Sequence, residues 1–145
     1  MNIKLSKIAH NKLKKLGVGL VFLIGSRATG TARKNSDFDF GIVMKNPETL
    51  KKRKNKLYEE LETILTEVIP PNKNGLKNRE NLIGLDIVFL QEAPLYYAKD
   101  ATNEGKILFE SSPVFHADFK EKIMLEYGDM EPIIRAHGEV VLSQI

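Results

Sequence analysis

Apolar positions along the chain follow two rhythms, one helical and one extended, and the switches between them fall at glycines and prolines. Residues 4 to 16 set Ile8, Leu13 and Leu16 among lysines, a spacing that predicts an amphipathic helix ended by Gly17. "VGLVFLI" follows, short and β-branched between Gly17 and Gly25, and predicts a buried strand. A second strand is expected from Asp37 to Met44, after which Pro47 stands where a first helical turn can begin. Leu50, Leu57, Leu61, Ile64, Leu65 and Val68 then recur at helical spacing, closed by Pro70 and Pro71. The polar run "PPNKNGLKNREN" reads as an exposed loop, and "LIGLDIVFL", Leu82 to Leu90, as a third strand. Pro94 opens a helix through Tyr97 toward Glu104. Gly105 stops it before the short apolar stretch "KILFE". Beyond Pro113 the pattern is helical, with breaks expected at Gly128, Pro132 and Gly138. This order predicts an α/β or α+β architecture with a small mixed sheet.

The chain has 145 residues, 42% of them hydrophobic, enough for one domain with a real core. With no cysteine, neither a disulfide framework nor a thiolate zinc site is available, and a reducing cytoplasm is the simplest setting. The lysine-rich N-terminus lacks the apolar stretch and cleavage site of a secretory signal, and no run is long enough for a membrane span. A soluble, cytoplasmic protein with no membrane partner is expected. The net charge of +3 is a mild bias, with basic clusters at residues 51–56 and between Lys73 and Arg79. Because "YEELE" follows the first of these, it reads as a solvated helix face, and direct nucleic-acid binding is not expected.

Two strands carry an anomaly. Alternation sends Phe38, Phe40, Ile42 and Met44 to one face and Asp37, Asp39, Gly41 and Val43 to the other. The aromatic face belongs to the core. The other face holds two carboxylates about 7 Å apart along the strand, able to share one cation. Asp86 repeats the anomaly inside "LIGLDIVFL", with Leu85 and Ile87 opposite it. If the two strands are neighbours, three carboxylates cluster, their mutual repulsion raises their pKa values, and an all-oxygen site of this kind suits Mg²⁺ or Mn²⁺.

The turn before Asp37 completes the pattern. Gly25 permits close backbone approach, and Ser26 can begin a helix at "SRATGTA" whose unpaired N–H groups would bind phosphate. Gly-Ser alone is commonplace. Followed by ten residues and Asp-x-Asp, it arises by chance in about one chain in several hundred. Phosphate beside carboxylate-bound cations describes phosphoryl or nucleotidyl transfer. Arg27 either touches phosphate or serves the surface, while Arg33 and Lys34 face solvent. His10, His116 and His137 show no metal-ligand spacing. Tyr96 and Tyr97 suit helix-to-sheet packing, with stacking on a base as the alternative.

On these residues the sequence resembles the nucleotidyltransferase superfamily of DNA polymerase beta, whose signature is an apolar residue, Gly-Ser, a spacer and Asp-x-Asp in a strand. "IGSRATGTARKNSDFDFGIV" matches it with the ten-residue spacer of the minimal nucleotidyltransferase (MNT) branch, and "LDIVFL" matches the third acidic strand. The resemblance covers about residues 18–110. The helical tail, about 113–145 and containing "LEYGDMEPIIR", is similar to that of MNT antitoxins paired with HEPN ribonuclease toxins. It implies a nucleotidyltransferase fold in one domain over residues 1–145, with Asp37 and Asp39 holding two Mg²⁺ ions. By the same resemblance Asp86 binds the catalytic ion and helps deprotonate the attacking hydroxyl, and Gly25 and Ser26 hold the triphosphate of ATP. The implied activity is that of an antitoxin, transfer of AMP to a tyrosine of a partner HEPN toxin with release of pyrophosphate. Two alternatives stay open: a binding module that neutralises by contact alone, and transfer to a small molecule or RNA.

Overall fold

A computed structural model describes residues 3–70 and 83–143, with side chains as far as Gly128. The elements follow the expected order: α1 (Lys7–Leu16), β1 (Val18–Ile24), α2 (Ser26–Thr29), β2 (Phe38–Met44), α3 (Glu48–Leu65), β3 (Leu85–Phe89), α4 (Leu95–Glu104), β4 (Lys106–Glu110) and α5 (Pro113–Ser143). The strands form one mixed sheet in the order β3-β2-β1-β4. β1 runs antiparallel to both β2 and β4, and β3 parallel to β2. "KILFE" is thus an edge strand laid on β1. The expected α+β class with a small mixed sheet is the one observed.

Local chemistry sets the boundaries. The Ser6 hydroxyl accepts the Ala9 N–H at 3.1 Å, capping α1, and both the Ser6 N–H and hydroxyl donate to the Glu67 carboxylate, at 2.8 and 2.9 Å. Gly17 ends the helix with φ 80°, a left-handed conformation that favours glycine. Asn46 caps α3 by accepting the Glu48 N–H at 3.0 Å. After Leu65 the chain tightens into a single 3₁₀ turn, Thr66–Val68, so the apolar periodicity that reached Val68 outruns the α-helix by three residues. The basic run 51–56 lies on α3, its lysines and Arg53 exposed, with Lys54 paired to Glu92 at 2.7 Å.

Two expectations need correction. The breaks predicted at Gly128, Pro132 and Gly138 are absent, and α5 runs unbroken to Ser143. Glycine costs a helix about 1 kcal/mol and proline about 3, but neither forbids continuation. The third strand starts at Leu85 rather than Leu82. The expected loop beyond Pro70, the basic cluster 73–79 and Leu82 itself lie outside the described residues, as do the side chains of His137 and of most of "LEYGDMEPIIR".

Helices cover both faces of the sheet. Against one face, α1 and α3 bring Ala9, Leu13, Leu57, Leu61 and Leu65 onto Val21, Leu23, Phe38, Phe40, Ile42, Ile87 and Phe89. Against the other, α4 and α5 bring Ala98, Ala101, Phe119 and Ile123 onto Leu20, Phe22, Ile24 and Val43. Cover on both sides explains why every residue of β1 is buried and why that strand reads as a continuous apolar run. Gly19 is a notch on the second face: a Cβ there would overlap the ring of Phe115, at the start of α5. Beyond the end of β3, the Gln91 side-chain amide bonds both the N–H and the C=O of Met44, each at 2.9 Å, and so continues the ladder.

Candidate active site

The second face carries the carboxylates, and strand register brings them together. Asp39 of β2 and Asp86 of β3 are direct partners across the parallel pair, so both project on the face bearing α4 and α5. Asp39 is half-buried. Asp86, on the edge strand β3, is exposed. As the alternation predicts, Leu85, Ile87 and Phe89 pack on the first face, while Asp86 on the other face meets solvent.

Asp37 lies one residue before β2, and its Oδ1 accepts the Gly84 N–H at 3.0 Å while the Phe38 N–H donates to the Gly84 carbonyl at 2.9 Å. A Cβ on residue 84 would overlap the Asp37 carboxylate, so glycine there is what lets this side chain approach β3. The same holds at Gly25, where φ is 74° and an added Cβ would stand 2.7 Å from Asp39 Oδ2. Gly25 thus brings the turn after β1 against Asp39.

Asp39 senses its two neighbours. Asp39 holds its proton more tightly than an ordinary aspartate, first because of burial and then through the charges of Asp86 and Asp37. Burial, with Asp39 and Asp86, likewise pushes the Tyr97 phenol up. None of the three aspartates has a basic partner among the described residues. Nor, among those residues, is any group of three acidic or histidine side chains placed to hold a metal ion; the Asp37 carboxylate accepts the Gly84 N–H instead. What the chain offers is an open, all-oxygen set with uncompensated negative charge. That donor chemistry fits a hard divalent cation such as Mg²⁺ and has no soft or imidazole ligand.

Beside Asp39 lies a cavity of about 210 Å³, bounded by Ile24, Gly25, Ala28 and Thr29 on one side and by Tyr97, Asp100, Ala101, Glu104 and Gly105 on the other. At the start of α2, next to Gly25, the N–H groups of Ser26 and Arg27 have no acceptor among the described residues, whereas those of Ala28 and Thr29 bond the Gly25 carbonyl at 3.0 and 3.2 Å. The choice left open for Arg27 falls to structure. Its guanidinium donates to the carbonyls of Ser36, at 2.8 and 3.2 Å, and Lys34, at 3.2 Å, and lies 4.3 Å from the Phe38 ring centroid. It fastens the spacer that delivers Asp37 and Asp39. His10 packs edge-on against Phe109, and His116 meets Glu110 at 2.8 Å, both away from the carboxylates.

Motif reading passed over Gly84 and the inner side of α4. Gly84 gives no sequence signal until its strand is paired. Residues 97, 100, 101 and 104 recur at helical spacing, the one available clue.

Known proteins share the sequence pattern and the fold. The family described as "Polymerase beta, Nucleotidyltransferase" matches residues 4–114, a span that takes in α1 as well as the 18–110 region of the motifs. The chain is 28% identical over 114 residues to the protein adenylyltransferase MntA of Aphanizomenon flos-aquae (strain 2012/KM1/D3), covering 79% of this chain and 71% of that protein. Its fold is similar to a chain of a toxin-antitoxin crystal structure with AMP-PNP, at TM-score 0.64 and 22% identity over 92% of this chain and 98% of that one. It is also similar to a chain from the complex of tri-AMPylated Shewanella oneidensis HEPN toxin with MNT antitoxin, at TM-score 0.58 and 18% identity over 94% and 98%.

Proposed function

This chain belongs to the polymerase beta nucleotidyltransferase family, and we propose that it is an adenylyltransferase antitoxin, a single domain that transfers AMP from ATP to a tyrosine of a partner HEPN toxin. The observation that carries the reading is the pairing of Asp39 with Asp86 on one face of the sheet, beside a glycine turn that heads a helix with free N–H groups. The similarity to an adenylyltransferase and to toxin-antitoxin complexes, one with an ATP analogue and one with AMPylated toxin, supports the choice of nucleotide and partner.

Asp37, Asp39 and Asp86 are the residues that would hold two Mg²⁺ ions, whose chemistry is to neutralise the polyphosphate and to acidify an acceptor hydroxyl. The chain's own contribution is positional. Gly25, lacking a side chain, lets phosphate reach the N–H groups of Ser26 and Arg27, which lose no internal bond by turning to it. Asp86, on an exposed edge, is open to a macromolecular acceptor in a way that half-buried Asp39 is not. Asp86 takes the proton of the attacking tyrosine, an ordinary phenol with pKa near 10. The tyrosine oxygen bonds the α-phosphorus as the bond to pyrophosphate breaks.

Co-expression with the partner toxin, followed by intact mass spectrometry of that toxin, tests the reading. Increments of one or more AMP units are expected, and their loss in Asp37→Ala/Asp39→Ala. Increments that persist in the double variant would refute the assignment; a toxin neutralised without any increment would make this chain a contact-only antitoxin.

A further inference from the structure

One tyrosine of this chain stands at the chain's own carboxylates. Tyr97 enters on the first turn of α4, where its N–H donates to the Pro94 carbonyl at 3.0 Å, and Ala98, Ala101 and Thr102 bury the helix behind it. Its half-buried ring packs against the cluster that holds Phe22, Ile24 and Val43. Tyr97 lines the same cavity as Asp39. Burial, then the charges of Asp39 and Asp86, act on its phenol, so the hydroxyl and both carboxylates share one space. A tyrosine hydroxyl in such a place usually finds a hydrogen-bond partner. This one has none among the described residues, and its oxygen is not sealed in, since Ser111 Oγ is the one fully enclosed side-chain atom without a partner among those residues. The other tyrosines stand elsewhere: Tyr58 packs on the opposite face of the sheet, Tyr96 is 60% exposed, and the Tyr127 ring centroid lies 4.2 Å from Lys99 Nζ.

A transferase that modifies a tyrosine hydroxyl thus carries one inside its own site. Resting on the nucleotidyl-transfer reading, we propose that Tyr97 is a second acceptor, AMPylated by its own chain in the absence of the toxin. The Tyr97 oxygen bonds the α-phosphorus as the bond from that phosphorus to pyrophosphate breaks, and the phenol proton passes to Asp86, the base assigned above. Gly25 lies across the cavity from Tyr97. With the triphosphate held at Gly25, the phenol attacks from the side opposite the departing pyrophosphate, the in-line course of this displacement. Placing acceptor and site on one chain also replaces a bimolecular encounter by an intramolecular one. AMP left on Tyr97 fills the cavity that the next ATP would enter, so the reaction ends after a single transfer.

The full chain alone, incubated with ATP and Mg²⁺ and then weighed intact, should gain a single AMP, and peptide mapping should put it on Tyr97. The mapping needs no variant. Tyr97→Phe keeps the ring and its packing and should lose the increment entirely, as should Asp37→Ala/Asp39→Ala; an unchanged thermal midpoint reports that the Tyr97→Phe chain is folded. The rate constant should not depend on protein concentration, and a rate that rises with it would mean transfer between copies and overturn the proposal. AMP found on Tyr58, Tyr96 or Tyr127, or an increment that survives in Tyr97→Phe, overturns it too. A chain that modifies the toxin but never itself would do the same while leaving the function above intact. AMP on Tyr97 with none on the toxin would uphold the proposal and remove the toxin as acceptor; no AMP on either chain would sink both.

Discussion

The two faces of the sheet differ in what they ask of the sequence. Toward α1 and α3 the strands send Phe38, Phe40, Ile42, Ile87 and Phe89. Toward α4 and α5 they send Leu20, Phe22, Ile24 and Val43, and, near one end, Asp39 and Asp86. The first face holds the chain folded. The second gives up part of its apolar cover, and the place where it does so is the site. Alternate residues of β2 belong to the two regimes, so neighbours one position apart should fail in opposite ways.

The largest effect expected is on chemistry. Asp39→Ala should lower the rate of AMP transfer to the toxin by about a thousandfold or more, on the order of 4 kcal/mol in the barrier, with little change in the denaturant midpoint. Next is its sequence neighbour on the other face. Phe40, fully buried and stacked 6.4 Å from Phe38, should cost about 3–5 kcal/mol of stability as alanine, measured by urea unfolding, while the folded fraction keeps its specific activity. If both variants lost both properties equally, the division of labour between the faces would be wrong.

Gly25→Ala sharpens the boundary between the regimes. With φ 74° and ψ −155°, this backbone conformation is essentially confined to glycine, and the change should cost about 1–3 kcal/mol. The added methyl also displaces the Asp39 carboxylate, so transfer should fall by more than the stability loss explains. Unchanged kinetics in the folded fraction would separate the turn from the carboxylates.

The smallest effect concerns pH. Because the Asp39 pKa is raised by burial and by Asp86 and Asp37, the folded chain holds that proton to higher pH than the unfolded chain does. The stability this contributes is complete below the ordinary aspartate value of 3.8 and is lost as pH rises through the raised one. At neutral pH the ionised group is a net cost, screened by solvent because it is only half-buried. In metal-free buffer Asp39→Asn should therefore raise the thermal midpoint by about 1–2 °C at pH 7 and leave it unmoved at pH 3. A midpoint equally unmoved at pH 7 would mean that neither burial nor the neighbouring charges penalise the ionised group.

Much of this arrangement is legible in the sequence, because its signals are local. The apolar runs bounded by Gly17, Gly25 and Pro47 mark β1 and β2, and period-two alternation assigns Asp39 and Phe40 to opposite faces before any contact is known. Pairing is not local. That β3 lies parallel to β2 in a register opposing Asp86 to Asp39 depends on the crossover through α3, and that "KILFE" closes the other edge depends on its fit to β1. Arg27 could not be assigned because its partners are backbone carbonyls, which leave no trace in residue identity. Gly84 was invisible for a related reason: its importance is the space it leaves for Asp37.

That kind of vacancy has a mechanical consequence at Gly19. The Phe115 ring seats against β1 in the room left by one missing methyl, at the base of a helix that continues to Ser143, a shaft about 46 Å long at 1.5 Å per residue. The seat is a fulcrum near one end of a long arm. Phe119 and Ile123 pack on the same face above it, and a tilt of about 5° at that seat would move the far end of the helix by about 4 Å.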